Sequence, residues 1–270
     1  MSLNFDVSHI TGLIREAVEA EILPRYQKLS EDDISEKNPG DLVTVADVET
    51  EYLLERLLSD ALPGSLVIGE EAISRKEKTL EPLENDQPVW VVDPVDGTSN
   101  FAKGNPTFAT MVALCRSGEV LAGWIHDPLN NKTAVAEKGS GAEFDGKSMS
   151  VVQEGVPPKD LKGPMWRKLE ETSRKNAGKG LGKMPQVIRH YGCVGHEYLD
   201  MALGRFQFAQ YGLLQPWDHA AGVLIHQEAG GFSALVREKA PYRAVETKGN
   251  RLLLAPSEDD WDNLNRLFNS

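Results

Sequence analysis

Two aspartates stand where an apolar stretch of the chain ends, in the segment WVVDPVDGTSN at residues 90–100. Asp93 follows the apolar run directly, and Asp96 comes three residues later. Two carboxylates at the end of one buried strand repel each other, so this arrangement is favourable when a metal ion lies between them. Pro94 fixes a backbone angle between the two acids, which lets the carbonyl of Val95 turn toward the same point.

Further oxygen ligands follow at the ends of other predicted elements. Glu70 and Glu71 end the short apolar stretch VIGEE, and Asp218 stands at the start of a predicted helix. The backbone N–H groups of Gly97 and Thr98 can hold an anion. Carboxylate and carbonyl oxygens without a thiol select Mg²⁺ or Mn²⁺ over zinc, and several acids indicate more than one ion. Two or three such ions beside an anion pocket are the arrangement for hydrolysis of a phosphate ester.

Each of these residues also has a simpler interpretation. An aspartate in the position of Asp218 commonly caps its helix. A glutamate pair after a strand commonly faces solvent, and Asp96-Gly97 is a common turn dipeptide. Each of these signals is weak by itself, and only their combination in one chain indicates a metal site.

Four segments together resemble the inositol monophosphatase family, within the lithium-sensitive, Mg²⁺-dependent sugar-phosphatase superfamily. In chain order they are DLVTVADVETE (41–51), GEE (69–71), WVVDPVDGTSNFAKGNPTF (90–108) and PWDHAAGVLIHQEAGG (216–231). The resemblance covers nearly the whole chain. The blocks at 93–98 and 217–231 are highly specific as a pair.

The resemblance implies an α+β fold of five alternating layers of helices and sheets. The first half would contain a roughly antiparallel sheet, and the second half would be mixed α/β. One catalytic unit would span residues 1–270. Its subdomains would be a metal-binding part at about 1–150 and a part at about 151–270 that supplies Asp218 and substrate contacts. The family also implies a homodimer.

By the same resemblance, Glu70, Asp93 and the Val95 carbonyl would hold a first Mg²⁺. A second Mg²⁺ would lie between Asp93, Asp96 and Asp218, with Mn²⁺ as a possible substitute. Glu70 would also help to place a third, loosely held ion, and lithium inhibition is expected if that site is intact.

The implied mechanism is in-line attack on phosphorus by a metal-bound water, without a covalent intermediate. Asp47 and Thr98 would form a hydrogen-bonded pair that orients this water, with Glu70 as a third catalytic residue. The backbone N–H groups of Gly97 and Thr98 would grip the phosphate. The residues expected to contact phosphate or substrate are Asp96, Gly97, Thr98, Tyr211 and Asp218.

Apolar periodicity places the elements around these residues. In the first half it predicts helices over 7–29, bent or shortened by Pro24, and over Val48–Leu62. Strands are predicted at SLVIGEE, at VWVVDP, on both sides of a Ser117-Gly118 turn, and in short pieces up to residue 151. In the second half it predicts a strand at RLLLAPS and helices over Tyr191–Leu203, Asp218–Ala229 with a Gly230-Gly231 C-cap, and Glu258–Asn269.

Composition bounds the function. The chain has 270 residues and a net charge of −12, which argues against non-specific binding to nucleic acid or anionic membranes. No apolar run reaches the length of a membrane span, and the first residues do not resemble a signal peptide. A cytoplasmic location is expected. Cys115 and Cys193 stand in apolar contexts and are predicted to be buried thiols.

The sequence leaves the substrate open. Relatives that hydrolyse inositol monophosphate commonly carry an acidic residue seven positions before the helix-starting aspartate, for the ring hydroxyls. Here that position is Tyr211, and Gln207 stands where the family often has a second aspartate. Tyrosine offers one hydroxyl and a flat apolar face. The hypothesis is therefore that an aromatic or doubly phosphorylated substrate is preferred over myo-inositol 1-phosphate.

A basic segment, Lys159–Arg189, contains nine Lys or Arg against three acidic residues. Within it, the stretch WRKLEETSRKNAGKGLGK (166–183) lacks the strand expected from the family. It is either a solvated helix with a glycine-rich loop or an electrostatic collar for phosphorylated substrates. His196 and His219 are left open between packing and substrate contact.

Four substrates remain: inositol monophosphate, fructose 1,6-bisphosphate, histidinol phosphate and 3′-phosphoadenosine 5′-phosphate. The shared metal core does not separate them. A regulatory binding module on the same fold is the non-enzymatic alternative, and the complete set of candidate residues favours the enzyme.

Overall fold

The computed structural model describes residues 3, 5–151, 156–245 and 249–269. The helices in this part of the chain are α1 Val7–Ala17, α2 Val45–Ala61, α3 Glu70–Ser74, α4 Thr98–Ala102, α5 Arg167–Gly178, α6 Val194–Ala202, α7 Pro216–Glu228 and α8 Glu258–Asn269. The strands are β1 Ile34–Asn38, β2 Asp41–Thr44, β3 Leu66–Gly69, β4 Val89–Asp96, β5 Ala109–Arg116, β6 Glu119–Asp127, β7 Lys132–Glu137, β8 Ala142–Phe144, β9 Lys147–Ser148, β10 Lys162–Pro164, β11 Gln186–Ile188, β12 Ala209–Tyr211, β13 Phe232–Leu235 and β14 Leu252–Ala255.

The main sheet has seven strands in the order β3-β4-β5-β6-β7-β8-β9. The β3–β4 pair is parallel and the other neighbours are antiparallel. Strand β4 reads as an unbroken apolar run because both of its faces are covered. Val89 and Val91 pack into one core, while Trp90 and Val92 pack into another.

Five layers alternate, as the resemblance implied. Helices α1 and α2 cover one face of the seven-stranded sheet, and α6 and α7 cover the other. Beyond α7 lies the three-stranded antiparallel sheet β12-β14-β13. Helices α5 and α8 cover its outer face, and residues of β14 alternate between the two cores. The α+β fold class is therefore confirmed.

The helix predicted over 7–29 is shortened before Pro24, as predicted. It ends at Ile22 after a π-helical turn, Val18–Ile22, because Pro24 cannot donate the next backbone hydrogen bond. Two other predicted boundaries were wrong for local reasons. Helix α2 begins three residues earlier than predicted, since Thr44 and Asp47 form a capping box. The helix predicted from Tyr191 begins at Val194, after Gly192 adopts a φ of 67°.

Other predictions agree with the structure. Helix α8 has the predicted ends, and β5 and β6 meet at the Ser117-Gly118 turn, where both residues have positive φ. Helix α7 starts two residues before Asp218 and ends at Glu228, one residue before the predicted end, and Gly230 follows in the left-handed conformation. Cys115 and Cys193 are buried free thiols.

The basic segment contains a helix, α5, and a glycine-rich loop, and its residues 166–183 form no strand, as predicted. Strands β10 and β11 flank the helix and pair in parallel. The expected division near residue 150 adjoins residues 152–155, which lie outside the described residues, so the two-subdomain division stays a prediction. Within the described ranges no helix is long and apolar enough to cross a membrane.

Candidate active site

Asp93 and Asp96 point to the same side of the seven-stranded sheet. Asp93 pairs with Met111 of β5, and Asp96 pairs with Ala109, so three steps on β4 face two steps on β5. This is a one-residue bulge, and it cancels the alternation that would otherwise send the two carboxylates to opposite faces. Strand β4 runs through to Asp96, two residues beyond Pro94, where the predicted strand VWVVDP ends.

Glu70 lies beside Asp93 and Asp96 because strand β3 pairs in parallel with β4. Gly69 lies opposite Val92, so the chain enters α3 at Glu70 next to Asp93. Glu70 and Glu71 therefore begin a short helix and do not form a solvated strand end.

Lys37 is part of the acidic cluster and was missed in the sequence. Its Nζ lies 2.5 Å from Glu70 Oε1 and 3.0 Å from Glu71 Oε1. Burial opposes the charge on Lys37, but the neighbouring Glu70 and Glu71 carboxylates outweigh it and raise the pKa of the ammonium group. No sequence motif indicates this contact, because Lys37 lies in the short polar strand β1, more than thirty residues before Glu70.

Asp47 and Thr98 form the predicted hydrogen-bonded pair. The Thr98 hydroxyl lies 2.9 Å from Asp47 Oδ1 and 3.0 Å from the Val95 carbonyl oxygen. Thr44 donates to the other carboxylate oxygen of Asp47 from its backbone N–H at 2.8 Å and from its hydroxyl at 2.6 Å. Burial raises the pKa of Asp47 to about 6, although the hydrogen bonds from Thr44 and Thr98 oppose that rise.

Gly97 joins the bulge to α4 and adopts a φ of 92°. A Cβ at this position would lie 3.0 Å from the Thr107 carbonyl oxygen and 3.1 Å from Cys193 Cβ, so only glycine fits. Asn100 then ties α4 to the segment before α6. Its Nδ2 donates to the carbonyl oxygens of Thr107 at 2.9 Å and Tyr191 at 3.1 Å.

Asp96, at the end of β4, and Asp218, at the start of α7, lie close enough for their carboxylates to repel each other. Asp96 accepts hydrogen bonds from the Gly195 N–H and from the Cys193 thiol, at 3.2 Å for the thiol. Asp218 is the third residue of α7, and the residue in the N-cap position is Gln215, so the simple capping interpretation of Asp218 does not hold. Burial and the Glu70 and Asp96 carboxylates raise the pKa of Asp218 well above its ordinary value.

The cluster fits a hard divalent cation by its chemistry. Asp93 Oδ1 is buried and has no hydrogen-bond partner in the described part of the chain. Burial and the carboxylates of Glu70, Asp96 and Asp218 raise the pKa of Asp93 well above its ordinary value. Among the described residues, no three His, Cys, Asp or Glu side chains lie close enough to form a complete cage. The donors are nevertheless all oxygens, which is the set that Mg²⁺ prefers.

A cavity of about 180 Å³ opens beside Asp218. The predicted contact Tyr211 lines it, and so does His219. His219 Nε2 donates to the Leu213 carbonyl oxygen at 2.8 Å, so its Nδ1 accepts from the Tyr198 hydroxyl at 3.1 Å. Burial lowers the pKa of His219 to about 4, which keeps the ring neutral.

Of the two histidines left open by the sequence, His196 does not line this cavity. Its Nε2 lies 3.0 Å from the Phe108 carbonyl oxygen instead. Trp166, His190 and Glu197 do line it, and sequence reasoning missed all three. Glu197 places a carboxylate close to Tyr211 in space, although the residues next to Tyr211 in the sequence include no acid.

A sequence model of the inositol monophosphatase family matches residues 6–266. An inositol-1-monophosphatase from Caulobacter vibrioides is 32% identical over 250 residues, which cover 87% of this chain and 90% of that relative. A fructose-1,6-bisphosphatase/inositol-1-monophosphatase from Thermotoga maritima is 33% identical over 202 residues, 73% of each chain. A Nus factor SuhB from Vibrio cholerae is 29% identical over 232 residues, 82% of this chain and 81% of that one.

The solved structure of the extragenic suppressor protein suhB from Bartonella henselae has a TM-score of 0.77 to this chain at 26% identity. The likeness covers 97% of this chain and 99% of that chain. The fold, the site and these likenesses agree, and the chain belongs to the inositol monophosphatase family.

Proposed function

We propose that this chain is a Mg²⁺-dependent phosphatase that hydrolyses a phosphate monoester of a small alcohol. The observation that carries the proposal is the Asp47–Thr98 hydrogen bond, which lies directly beside the Val95 carbonyl and the paired acids Asp93 and Asp96. A chain that kept the fold only for binding would have no need of a buried carboxylate with a hydroxyl aimed at one of its oxygens.

The expected ion ligands are Glu70, Asp93, Asp96, Asp218 and the Val95 carbonyl oxygen. Bound Mg²⁺ would neutralise the phosphate, lower the pKa of water and stabilise the leaving alkoxide. The unpaired Asp93 oxygen and the mutual repulsion of the acids support this assignment. We propose two or three ions, with Mn²⁺ as a substitute and lithium as an inhibitor.

Thr98 and Asp47 would handle the proton of the attacking water. Thr44 fixes one oxygen of Asp47, which leaves Oδ1 to accept the proton of the Thr98 hydroxyl. Thr98 can then take a proton from a water on its other side and pass its own to Asp47, while the P–O bond to the alcohol breaks. A pKa of about 6 suits Asp47 as the final base near neutral pH.

The left-handed backbone at Gly97 starts helix α4 directly after Asp96, beside the acidic cluster. We propose that the N–H groups of Gly97 and Thr98 hold the phosphate oxygens there, with Asp96 and Asp218 on the opposite side. Asn100 supports this placement, because it ties α4 to the segment before α6.

The proposal is tested by phosphate release from the four candidate substrates. Purified protein with Mg²⁺ should release phosphate from at least one of them, and EDTA or high millimolar lithium should inhibit. Folded protein that releases none, with either Mg²⁺ or Mn²⁺, would point to the regulatory binding role instead.

We also propose a homodimer, one catalytic unit over residues 1–270 and a cytoplasmic location. The two unpaired buried thiols support a reducing compartment. The dimer follows from the family resemblance, and light scattering of the purified protein measures it.

A further inference from the structure

We propose that the cavity beside Asp218 selects a planar, ring-bearing leaving group without a second negative charge, and that His190 and Tyr211 bind its polar atoms. This inference rests on the proposed phosphatase function and specifies the class of alcohol. The residue that positions His190 is Glu197, which no motif of the sequence singled out.

Glu197 holds His190 in one orientation. Its carboxylate is buried, accepts the Tyr191 backbone N–H at 2.7 Å and lies 2.9 Å from His190 Nδ1. A carboxylate facing Nδ1 fixes a proton on that nitrogen, which leaves Nε2 for a ligand. Glu197 also lies two residues after Gly195, whose N–H binds Asp96, so the same helix positions both the cavity and the acidic cluster.

Two buried polar atoms at this cavity have no protein partner. His190 Nε2 and the Tyr211 hydroxyl are both buried without a hydrogen bond in the described ranges. Tyr211 is 4% exposed, and burial together with the nearby Glu197 carboxylate raises the pKa of its hydroxyl well above the ordinary value. Glu197 lies close to this hydroxyl, but the two groups do not meet in hydrogen-bond geometry, so the hydroxyl is available to a ligand. By contrast, both nitrogens of His219 are occupied. Buried polar groups without a partner are unfavourable, so a ligand that bonds to these two atoms would be bound preferentially.

The walls of the cavity favour a flat ring. The rings of His190 and Tyr211 lie 5.5 Å apart between centroids, and those of Trp166 and His190 lie 6.4 Å apart. Trp166 is 42% exposed and packs over Gly212, where a Cβ would lie 3.1 Å from the indole. These rings contact one another, so a ligand would lie against them and not between them. The cavity that they help to line has a volume of about 180 Å³, which suits a ligand with one aromatic ring.

The charges at the cavity disfavour a second phosphate. Glu197 and Asp218 line it, and no Lys or Arg of the described residues does. The basic segment contributes only Trp166, while Lys159 and Lys183 line a different groove, against α8. Of the two substrate types expected from Tyr211, the cavity therefore supports the aromatic one and not the doubly phosphorylated one.

A substrate comparison tests the preference. The probes are histidinol phosphate, which carries an imidazole and an ammonium group, myo-inositol 1-phosphate, fructose 1,6-bisphosphate and ringless glycerol 2-phosphate. We expect kcat/KM for histidinol phosphate to exceed that for each of the other three by tenfold or more. A tenfold preference for the bisphosphate or the inositol ester would overturn the inference.

Variants test the residues. Tyr211→Phe, His190→Ala and Glu197→Gln should each lower the ratio of kcat/KM for histidinol phosphate over glycerol 2-phosphate by about tenfold to a hundredfold, the range expected for a lost hydrogen bond to a charged group. The loss should lie mainly in KM. His190→Asn, which keeps a polar group, should retain more than His190→Ala. Tyr52→Phe and His9→Ala change the same residue types at exposed positions and should leave the ratio within twofold.

Binding of histidinol, the alcohol without its phosphate, separates this inference from the proposed function. Calorimetry should show histidinol binding that weakens in Tyr211→Phe, a change that removes one atom and should keep the fold. Binding without phosphate release would mean that the catalytic proposal fails and the cavity assignment stands. Phosphate release with an unchanged ratio in folded Tyr211→Phe would mean that the cavity assignment fails alone.

Discussion

The carboxylates of Asp93 and Asp96 lie on the same side of β4, although the two residues are three positions apart and regular alternation would put them on opposite sides. The register against Met111 and Ala109 shows the extra residue that makes this possible. Pro94 stands inside the bulge, and its carbonyl oxygen accepts the Thr110 hydroxyl at 2.8 Å. Because proline has no N–H to donate to a ladder, the irregularity falls where the sheet loses least by it.

Asp93→Asn tests the metal assignment. The amide keeps the size of the side chain but removes one negative charge from a cluster in which the acids repel each other. Turnover should be lost, and the melting temperature of the metal-free protein should rise while its further increase with Mg²⁺ disappears. Phosphate release and thermal melts measure both effects. Asp60→Asn, an exposed change of the same type, is the control, and more than a tenth of wild-type activity in Asp93→Asn at saturating Mg²⁺ would refute the assignment.

Thr98→Ala tests the proton path. Removal of the hydroxyl breaks the link between the attacking water and Asp47, so kcat should fall by roughly 10²-fold, with a smaller effect on KM. Thr98→Ser keeps a hydroxyl and should recover most of the rate. A loss that lies only in KM would show that Thr98 binds phosphate and does not move a proton. Steady-state kinetics of the three proteins decides between these roles.

Gly195→Ala tests how Asp96 is held. A Cβ there would lie 2.9 Å from Ala109 Cβ and 3.0 Å from Asp96 Oδ2, so it should push the carboxylate away from its place. We expect weaker Mg²⁺ binding and a lower melting temperature. Gly178→Ala meets nothing within 4 Å and should be neutral or slightly stabilising. Unchanged Mg²⁺ affinity in Gly195→Ala would count against this support of Asp96.

His226→Gln tests a source of acid lability. Burial lowers the pKa of His226 from 6.5 to about 4, so between these values the unfolded chain binds a proton that the folded chain does not. The stability from this residue is therefore lost as pH falls through that window, by at most on the order of 3 kcal/mol. The buried carboxylates of Asp47, Glu51 and Glu71, with raised pKa values of about 6 to 7, act in the opposite direction.

Urea unfolding at pH 7, 6 and 5 in metal-free buffer measures the difference between wild type and variant. The free energy of unfolding of His226→Gln should fall less between pH 7 and 5 than that of the wild type. Exposed His9→Gln should follow the wild type. Parallel curves for His226→Gln and the wild type would show that His226 does not titrate in this way.

The sequence by itself determined the local parts of this protein. The ends of α8 and the Ser117-Gly118 turn depend on neighbours a few residues away, and residue types and spacing predicted them. The Thr44–Asp47 capping box is equally local, although the predicted start of α2 did not take it into account. The types of the candidate ligands are equally local, because carboxylates at the end of a buried strand are chemically distinctive. The boundaries that went wrong, such as the start of α6, depend on backbone angles that the residue types allow but do not require.

Only the tertiary structure decided which distant groups meet. The bulge that brings Asp93 and Asp96 to one face depends on the register with β5, and Lys37 reaches Glu70 from strand β1, far away in the chain. The cavity joins Glu197 of α6 to Tyr211 of β12 through packing of a helix against a separate sheet. Such contacts are stabilised by burial and charge between separate elements. The periodicity and spacing of residues within one element therefore do not predict them.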